Sequence, residues 1–282
     1  PSLDTFMSAK RYLSQIYIYP IKSLPGIRLN EAEVQEKGLK YDRRWMLVDS
    51  DGEFITMRKN RKLLKFFVNK TSLGYDIGCE FHKSTIQIPF ELTEGTEINV
   101  SIWGDKIKAI EGNTGWNDWF SEALRESCTL VYFPEEAKRP IKDKWQVNNE
   151  SVSLADGYPY LVIGESSLDR LNQKLAQPLD ISRFRPNLVF KGGEPYEEFN
   201  WKDFKIGDVA FKGLKPCARC VVTTLDPDTG ESGLEPLKTL ATQKIDDKVV
   251  FGQHTLALEE GSVKVGDEIE INSTKDSPYD PL

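Results

Sequence analysis

Lys215-Pro-Cys-Ala-Arg-Cys220 holds the densest chemistry in the sequence. Two cysteines at this spacing admit four readings: half of a zinc site, a thiol redox pair, a ligand for a soft metal, or buried thiols without chemistry. A redox pair of the thioredoxin kind opens a helix. Here Cys220 leads instead into Val221-Val-Thr-Thr224, four β-branched residues that favour a strand. On a strand, alternation would set Cys220, Val222 and Thr224 on one face and Arg219, Val221 and Thr223 on the other. Cys217 could then join Cys220 on one metal only through a tight turn at residues 216–219. A zinc site has a second source of ligands in Cys79-Glu-Phe-His82, far away in sequence, which would complete a Cys3His set. A single thiolate suits a soft, high-valent metal that keeps the sulfur deprotonated and takes its other donors from an organic ligand. Spacing alone leaves open which cysteine would serve.

The elements that must position these thiols read as mainly β with some α. In the first half, the apolar run at residues 13–19 stops at Pro20, which has no N–H to give a sheet. A strand at residues 44–48 enters the turn Asp49-Ser-Asp-Gly52, and residues 53–56 offer the returning strand of a hairpin. Further strands are predicted at residues 64–68 and 107–110. A helix is predicted over residues 115–127, where Trp116, Trp119, Phe120, Ala123 and Leu124 share one face, with Asn113 or Thr114 as cap; this stripe reads as core packing. The charged stretch 134–144 contains two prolines and neither period, so the boundary between two domains is placed near it. Beyond it come a strand at 160–163 and a helix opened by Ser166, with Leu168, Leu171 and Leu175 on one face. Strands follow at 188–190, 209–211, 221–225, 248–251 and 268–271. Lys205-Ile-Gly-Asp208 and Lys264-Val-Gly-Asp267 resemble each other through shared turn chemistry rather than as a repeat. The tail from Asn272 onward is polar and reads as loose.

Composition bounds the possible functions. A chain of 282 residues, 39% hydrophobic and 29% charged, is long enough for two packed domains. Its net charge of -7 argues against broad binding to nucleic acid or an anionic membrane, which need a basic stripe, yet allows a local basic pocket. No stretch approaches the roughly 20 apolar residues that span a bilayer, and the first residues carry no apolar leader core. Four cysteines are too sparse for a disulfide framework in a chain this large, so a reducing, cytoplasmic setting is expected.

The segment from Lys215 to Gly230 resembles the cofactor-ligand segment of MOSC-domain proteins, in the amidoxime-reducing-component branch. Ile18-Tyr-Pro-Ile-Lys-Ser23 and Asp42-Arg-Arg-Trp45 are similar to the opening of that family's N-terminal β-barrel domain. Ser182-Arg-Phe-Arg-Pro-Asn187 and Phe251-Gly-Gln-His254 fall where the family has its FRPN and FGQ segments. The resemblance implies an N-terminal β-barrel domain over residues 11–133 and a β-rich MOSC domain over residues 145–273. It also implies a molybdenum-molybdopterin cofactor (Moco), with Cys220 as the protein's ligand to the metal and Cys217 beside it or structural.

By the same resemblance, Lys22, Ser23, Arg43 and Arg185 match positions that hold the pterin and its phosphate, with Arg219 and Asn187 nearby. Such a phosphate needs cations and hydroxyl or amide donors. Gly157 and Tyr158 stand where relatives often carry hydroxyl residues near the cofactor, and Ala218 where a serine is frequent. His254 stands where a relative has tyrosine and is a candidate proton donor, although a satisfied core histidine is the simpler explanation. The activity implied is the two-electron reduction of N-hydroxylated compounds: amidoximes, hydroxylamines and N-hydroxylated nucleobases. The chain has no Cys-x4-Cys-x2-Cys run for an iron–sulfur cluster, so a separate electron-transfer protein, ferredoxin-like or cytochrome-like with a flavin reductase, is expected. Two rivals stay open: a non-catalytic carrier of the cofactor or of sulfur, and a zinc-stapled binding protein using Cys79, His82, Cys217 and Cys220.

Overall fold

The computed structural model describes residues 9–279. Its centre is a closed β-barrel of seven strands: β1 (Arg11–Ile18), β2 (Tyr160–Gly164), β3 (Leu188–Lys191), β4 (Trp201–Ile206), β5 (Val209–Ala218), β6 (Val250–Ala257) and β7 (Glu268–Thr274). Going round the barrel, the order is β1-β3-β2-β6-β5-β4-β7, and β7 returns to β1. Only β2 and β3 run parallel; α2 (Glu165–Asn172) lies on the connection between them. β1 comes from the opposite end of the chain yet closes the barrel, pairing Ile16 with Leu188 on one side and Arg11 with Ile269 on the other.

Alternation divides the wall. Tyr160 and Val162 of β2 pack with Leu13, Ile16, Leu188, Phe190, Trp201, Phe204 and Phe211 in one buried cluster. Leu161 and Ile163, on the other face of the same strand, pack with Leu171 of α2 and with Phe184, Val189, Cys217 and Phe251.

Three smaller sheets and a helix accompany the barrel. One sheet places Trp45–Val48 next to Thr129–Tyr132, then Asp105–Glu111 and Glu97–Ile102; a second joins Phe66–Lys70, Gly74–Cys79 and His82–Pro89; a third joins Gly261–Lys264, Glu31–Gln35 and Gly38–Leu39. The helix α1 (Thr114–Leu124) buries Trp119, Phe120, Ala123 and Leu124, and the Asn113 side chain caps it by accepting from the Trp116 N–H at 2.9 Å. No helix among the described residues is long and apolar enough to cross a membrane.

Several expected elements differ. Residues 53–56 turn back antiparallel to Trp45–Val48, with the Ile55 N–H on Leu47 O at 2.8 Å and the Asp49 N–H on Glu53 O at 2.9 Å, but the pairing stops at a single bridge, Phe54 to Val48, and forms no continuous strand. Residues 221–225 form a 3-10 turn over Val221–Thr224 instead of a strand. The Thr223 hydroxyl donates to Cys220 O at 2.9 Å and the Thr224 hydroxyl to Val221 O at 2.8 Å, so two threonines close the turn that their β-branching argued against. The face assignment built on that strand fails with it. In the tail, β7 continues to Thr274 and Lys275 is buried, donating to Leu214 O at 2.6 Å; residues 280–282 lie outside the described residues.

The start of α2 also departs from expectation. Its cap is Gly164, not Ser166, and the partner for the helix N-terminus comes from elsewhere: Glu198, fully buried. Its carboxyl accepts from the Gly164 N–H at 3.2 Å and from the Ser167 hydroxyl at 2.9 Å. Burial pushes this carboxyl up to about 7, with the hydrogen bonds from Gly164 and Ser167 opposing the rise. A carboxyl raised on folding stabilises the fold fully below its ordinary value of 4.5, and the contribution is lost as pH climbs through about 7. Thermal melts should therefore show wild-type stability declining from pH 4.5 to 7.5 relative to Glu198→Gln. Glu198→Ala, which strands the Ser167 hydroxyl, should be about 2 kcal/mol less stable than Glu198→Gln at any pH. Parallel wild-type and Glu198→Gln profiles would show that this carboxyl does not titrate in the window.

Candidate functional site

The main cleft lies against the barrel wall where β2, β6 and β5 run side by side. Leu161 pairs with His254, and His254 with Lys215. Leu161, His254 and Cys217 line the cleft from these strands, and loops from both halves of the chain build its sides. Every site residue expected from the sequence lines it: Lys22, Ser23, Arg43, Gly157, Tyr158, Arg185, Asn187, Ala218, Arg219, Cys220 and His254. Phe54, Arg58, Trp103 and Asp156 also line it and carry no motif that would have singled them out, and Phe184, from the FRPN segment, lines it as well.

One side is an anion cradle. Arg43 and Arg185 both stack on the buried Tyr19 ring, their guanidinium carbons 4.3 and 4.2 Å from its centroid. Arg43 donates to Asp42 at 2.8 Å; Arg185 has no ion pair among the described residues. Burial, and then the neighbouring Arg43 charge, bring the Arg185 guanidinium down to about 10. It stays charged near neutrality, next to a like charge that an anion would relieve.

Ser23, Arg43 and Arg185 hold φ of 71°, 50° and 54°. Left-handed backbone at three non-glycine residues of one cleft costs about 1 kcal/mol or more each, and such conformations gather at binding sites. The nearby Lys22 ammonium is buried and bonds Asp156 at 2.6 Å, and the Trp103 N–H donates to the same carboxylate oxygen at 3.0 Å. Burial would raise the Asp156 carboxyl, but Lys22 and Trp103 outweigh it and hold the group well below the usual carboxylate range. Its side chain is still 67% exposed, so this shift adds little stability.

Asn187 is buried and fully engaged. Its Oδ1 accepts from the Leu161 N–H at 3.2 Å, and its Nδ2 donates to Tyr17 O at 3.2 Å. Its amide therefore ties β1 to β2 at the edge of the cleft.

The other side holds the two thiols in unlike settings. Cys217 is buried, and Arg219 Nη1 donates to its sulfur at 3.0 Å with His254 alongside. Burial alone would push this thiol up, but the Arg219 and His254 interactions more than offset it and bring it to about 6. Arg219 is itself fixed by donating to Phe184 O at 2.8 Å. Cys220 is partly exposed, and Arg58 Nη2 donates to its sulfur at 3.1 Å. Tyr158 packs on the His254 ring with centroids 4.7 Å apart. The Tyr158 hydroxyl, His254 Nδ1 and Arg219 Nε are buried here without a hydrogen-bond partner.

The zinc set is not assembled. Cys79 packs in the core beside the smaller sheets and His82 bonds Glu122 at 3.3 Å, while Cys217 and Cys220 sit in the cleft. Among the described residues no group of three or more His, Cys, Asp or Glu side chains could hold a metal ion.

Comparison with known proteins gives the class. Residues 149–270 match the MOSC domain and residues 10–127 the MOSC N-terminal beta barrel domain. The chain belongs to the MOSC-domain family. Within it, the chain falls with the amidoxime-reducing components. It is 30% identical over 278 residues to mitochondrial amidoxime-reducing component 1 of Mus musculus, covering 92% of this chain and 82% of that protein. It is 33% identical over 281 residues to mitochondrial amidoxime reducing component 2 of Rattus norvegicus, covering 91% and 82%. It is also 31% identical over 265 residues to the molybdenum cofactor sulfurase of Oryza sativa, covering 86% of this chain but 32% of that larger protein.

The acidity of Cys217 depends on Arg219, which gives a direct test. In Arg219→Gln the thiol should return toward its ordinary value of 9, cutting the thiolate fraction at pH 7. Brief alkylation with iodoacetamide at pH 7, read by mass spectrometry, should label Cys217 about tenfold more slowly than in the wild type. An unchanged rate would assign the low value to His254 alone.

Proposed function

We propose that the chain is a molybdenum-cofactor-dependent reductase of N-hydroxylated compounds, supplied with electrons by a separate protein. The observation that carries this reading is one cleft holding both an accessible thiol, Cys220, and a cradle of strained, mutually repelling arginines. The first suits a soft metal and the second a phosphate. The family membership supports it, as do its relatives, amidoxime-reducing components on one side and a molybdenum cofactor sulfurase on the other.

The residues fit that cofactor. Arg43 and Arg185, with Lys22 and Ser23 beside them, would hold its phosphate, relieving the repulsion between the two guanidinium groups. The buried and unpartnered Tyr158 hydroxyl and Arg219 Nε offer donors to its polar ring system. Cys220 would bind the metal, because its sulfur is the one that meets solvent in the cleft. Bound there, the cofactor would supply the two-electron chemistry that breaks an N–O bond.

The protein's own residues do the rest. Asn187 and the β2 wall fix the cradle relative to the thiols. Cys217 and Arg219 form a fixed ion pair beside the ligand loop, setting the field there. His254 lines the same cleft and can deliver a proton to an oxygen leaving nitrogen.

Protein from a molybdate-supplied host should contain near-equal molybdenum and pterin, read by elemental analysis and by the fluorescence of oxidised pterin. It should reduce benzamidoxime to benzamidine with an artificial electron donor. Cys220→Ala should lose most of the molybdenum and at least about a hundredfold in rate, whereas Cys217→Ala should keep the metal. Zinc without pterin, or molybdenum-replete protein that reduces no N–OH substrate, would overturn the reading; replete but inactive protein would point to a carrier.

A further inference from the structure

One cation in the cleft is answered neither by the protein nor by the cofactor phosphate. The described lining residues include five, Lys22, Arg43, Arg58, Arg185 and Arg219, against the carboxylate of Asp156. Lys22 is paired with Asp156, Arg43 with Asp42, and Arg219 with the Cys217 sulfur. Arg185 shares the Tyr19 ring with Arg43, so these two face a common anion. Arg58 stands apart: it has no ion pair among the described residues, and its neighbours are the Trp103 ring and Cys220.

Its position is built. The Arg58 N–H is held by Thr56 Oγ1 at 3.0 Å, and the next turn closes through the Asn60 N–H to Thr56 O, also 3.0 Å. The guanidinium carbon lies 4.6 Å from the centroid of the Trp103 ring. Trp103 is itself fixed by its N–H bond to Asp156 and by packing against Phe54, with centroids 4.8 Å apart. A guanidinium supported on its face keeps its edge for hydrogen bonds, and among the described residues only one of its donors, Nη2 to Cys220, is engaged. The free edge therefore opens next to the thiol that would carry the metal.

We propose that Arg58 is a specificity-determining residue that orients N-hydroxylated substrates bearing an anionic substituent, a carboxylate or a phosphate, beside Cys220. This rests on the reductase reading above. Arg58 binds the anion through the edge of its fork, and Trp103 keeps that fork from turning away. The substrate's N–OH group then lies within a few ångströms of the Cys220 sulfur without any contact to the reacting atoms from Arg58. A neutral substrate has no such anchor and would bind more weakly.

Isothermal titration calorimetry on the cofactor-loaded protein tests this with two matched pairs. These are benzamidoxime against 4-carboxybenzamidoxime, and N6-hydroxyadenosine against its 5′-monophosphate. The wild type should bind the anionic member of at least one pair about tenfold more tightly, and which pair responds identifies carboxylate or phosphate as the recognised group. Arg58→Gln should reduce that ratio to near one, and Arg58→Lys should restore part of it. The same change should appear in KM for the anionic probe rather than in kcat. Equal affinities within both pairs in the wild type, or a preference that persists in Arg58→Gln, would overturn the assignment. Failure of the wild type to reduce benzamidoxime would instead sink the reductase reading, and the binding ratios would still report on Arg58. Near-ultraviolet circular dichroism on each variant separates loss of the ratio from loss of the fold.

Discussion

Closure of the barrel by β1 is the constraint on which the cleft depends. β1 lies at the start of the chain, yet its neighbours on both sides, β3 and β7, come from the far half. Because β1 is antiparallel to β3, the loop leaving β1 and the segment entering β3 emerge together, which brings Lys22 and Ser23 to the same cleft as Arg185. Asn187 locks this arrangement. Its backbone N–H and side chain bond Leu161 of β2, while its carbonyl and Nδ2 bond the backbone of Tyr17 in β1. Four hydrogen bonds from one buried residue join two strands that are not neighbours in the barrel, and each is made away from competing water.

That constraint makes an unfavourable collection of groups tolerable. Left-handed Ser23, Arg43 and Arg185, two adjacent guanidinium groups and several unpartnered buried polar atoms would each tend to move apart in a softer scaffold. The rigid wall prevents that relaxation, so an incoming anion finds its donors already oriented and forfeits little entropy in ordering them. A chain with net charge -7 thus concentrates positive charge in one place. The surrounding negative charge keeps other polyanions from competing for it.

The sequence was legible where one local signal dominated. The 3.6-residue stripe identified α1, its asparagine cap included, and the apolar run before Pro20 identified β1. It was misleading at Val221–Thr224, where a strand propensity lost to threonine hydroxyls bonding back to carbonyls three residues earlier. It also missed the start of α2, since the group that completes it is Glu198, more than thirty residues away. Motif order found nine of the eleven expected cleft residues because each sits in a short recognisable string, and Gly157 and Tyr158 followed from their position between those strings. Arg58, Trp103 and Asp156 sit in no such string, and only the tertiary approach of separate loops joins Arg58 to Trp103, Trp103 to Asp156 and Asp156 to Lys22. The barrel membership of β1 was equally hidden, as nothing in residues 11–18 says which sheet they complete.

The two cysteines show why acidity and ligand identity are separate questions. Cys217 is an acidic thiol, its anion held by Arg219, yet it is buried with that cation directly against the sulfur. A metal approaching it would have to displace Arg219 from both the thiolate and Phe184 O. Cys220 needs no such assistance, because a bound cationic metal deprotonates a thiol by its own charge. What it needs is room, and its partial exposure in the cleft supplies that. In the proposed reductase the negative charge of Cys217 would have a different consequence, neutralising Arg219 so that it does not compete with Arg43 and Arg185 for an anion. In that reading the spacing of two cysteines would sort two roles, an enclosed thiolate held by Arg219 and an open sulfur free to take a metal.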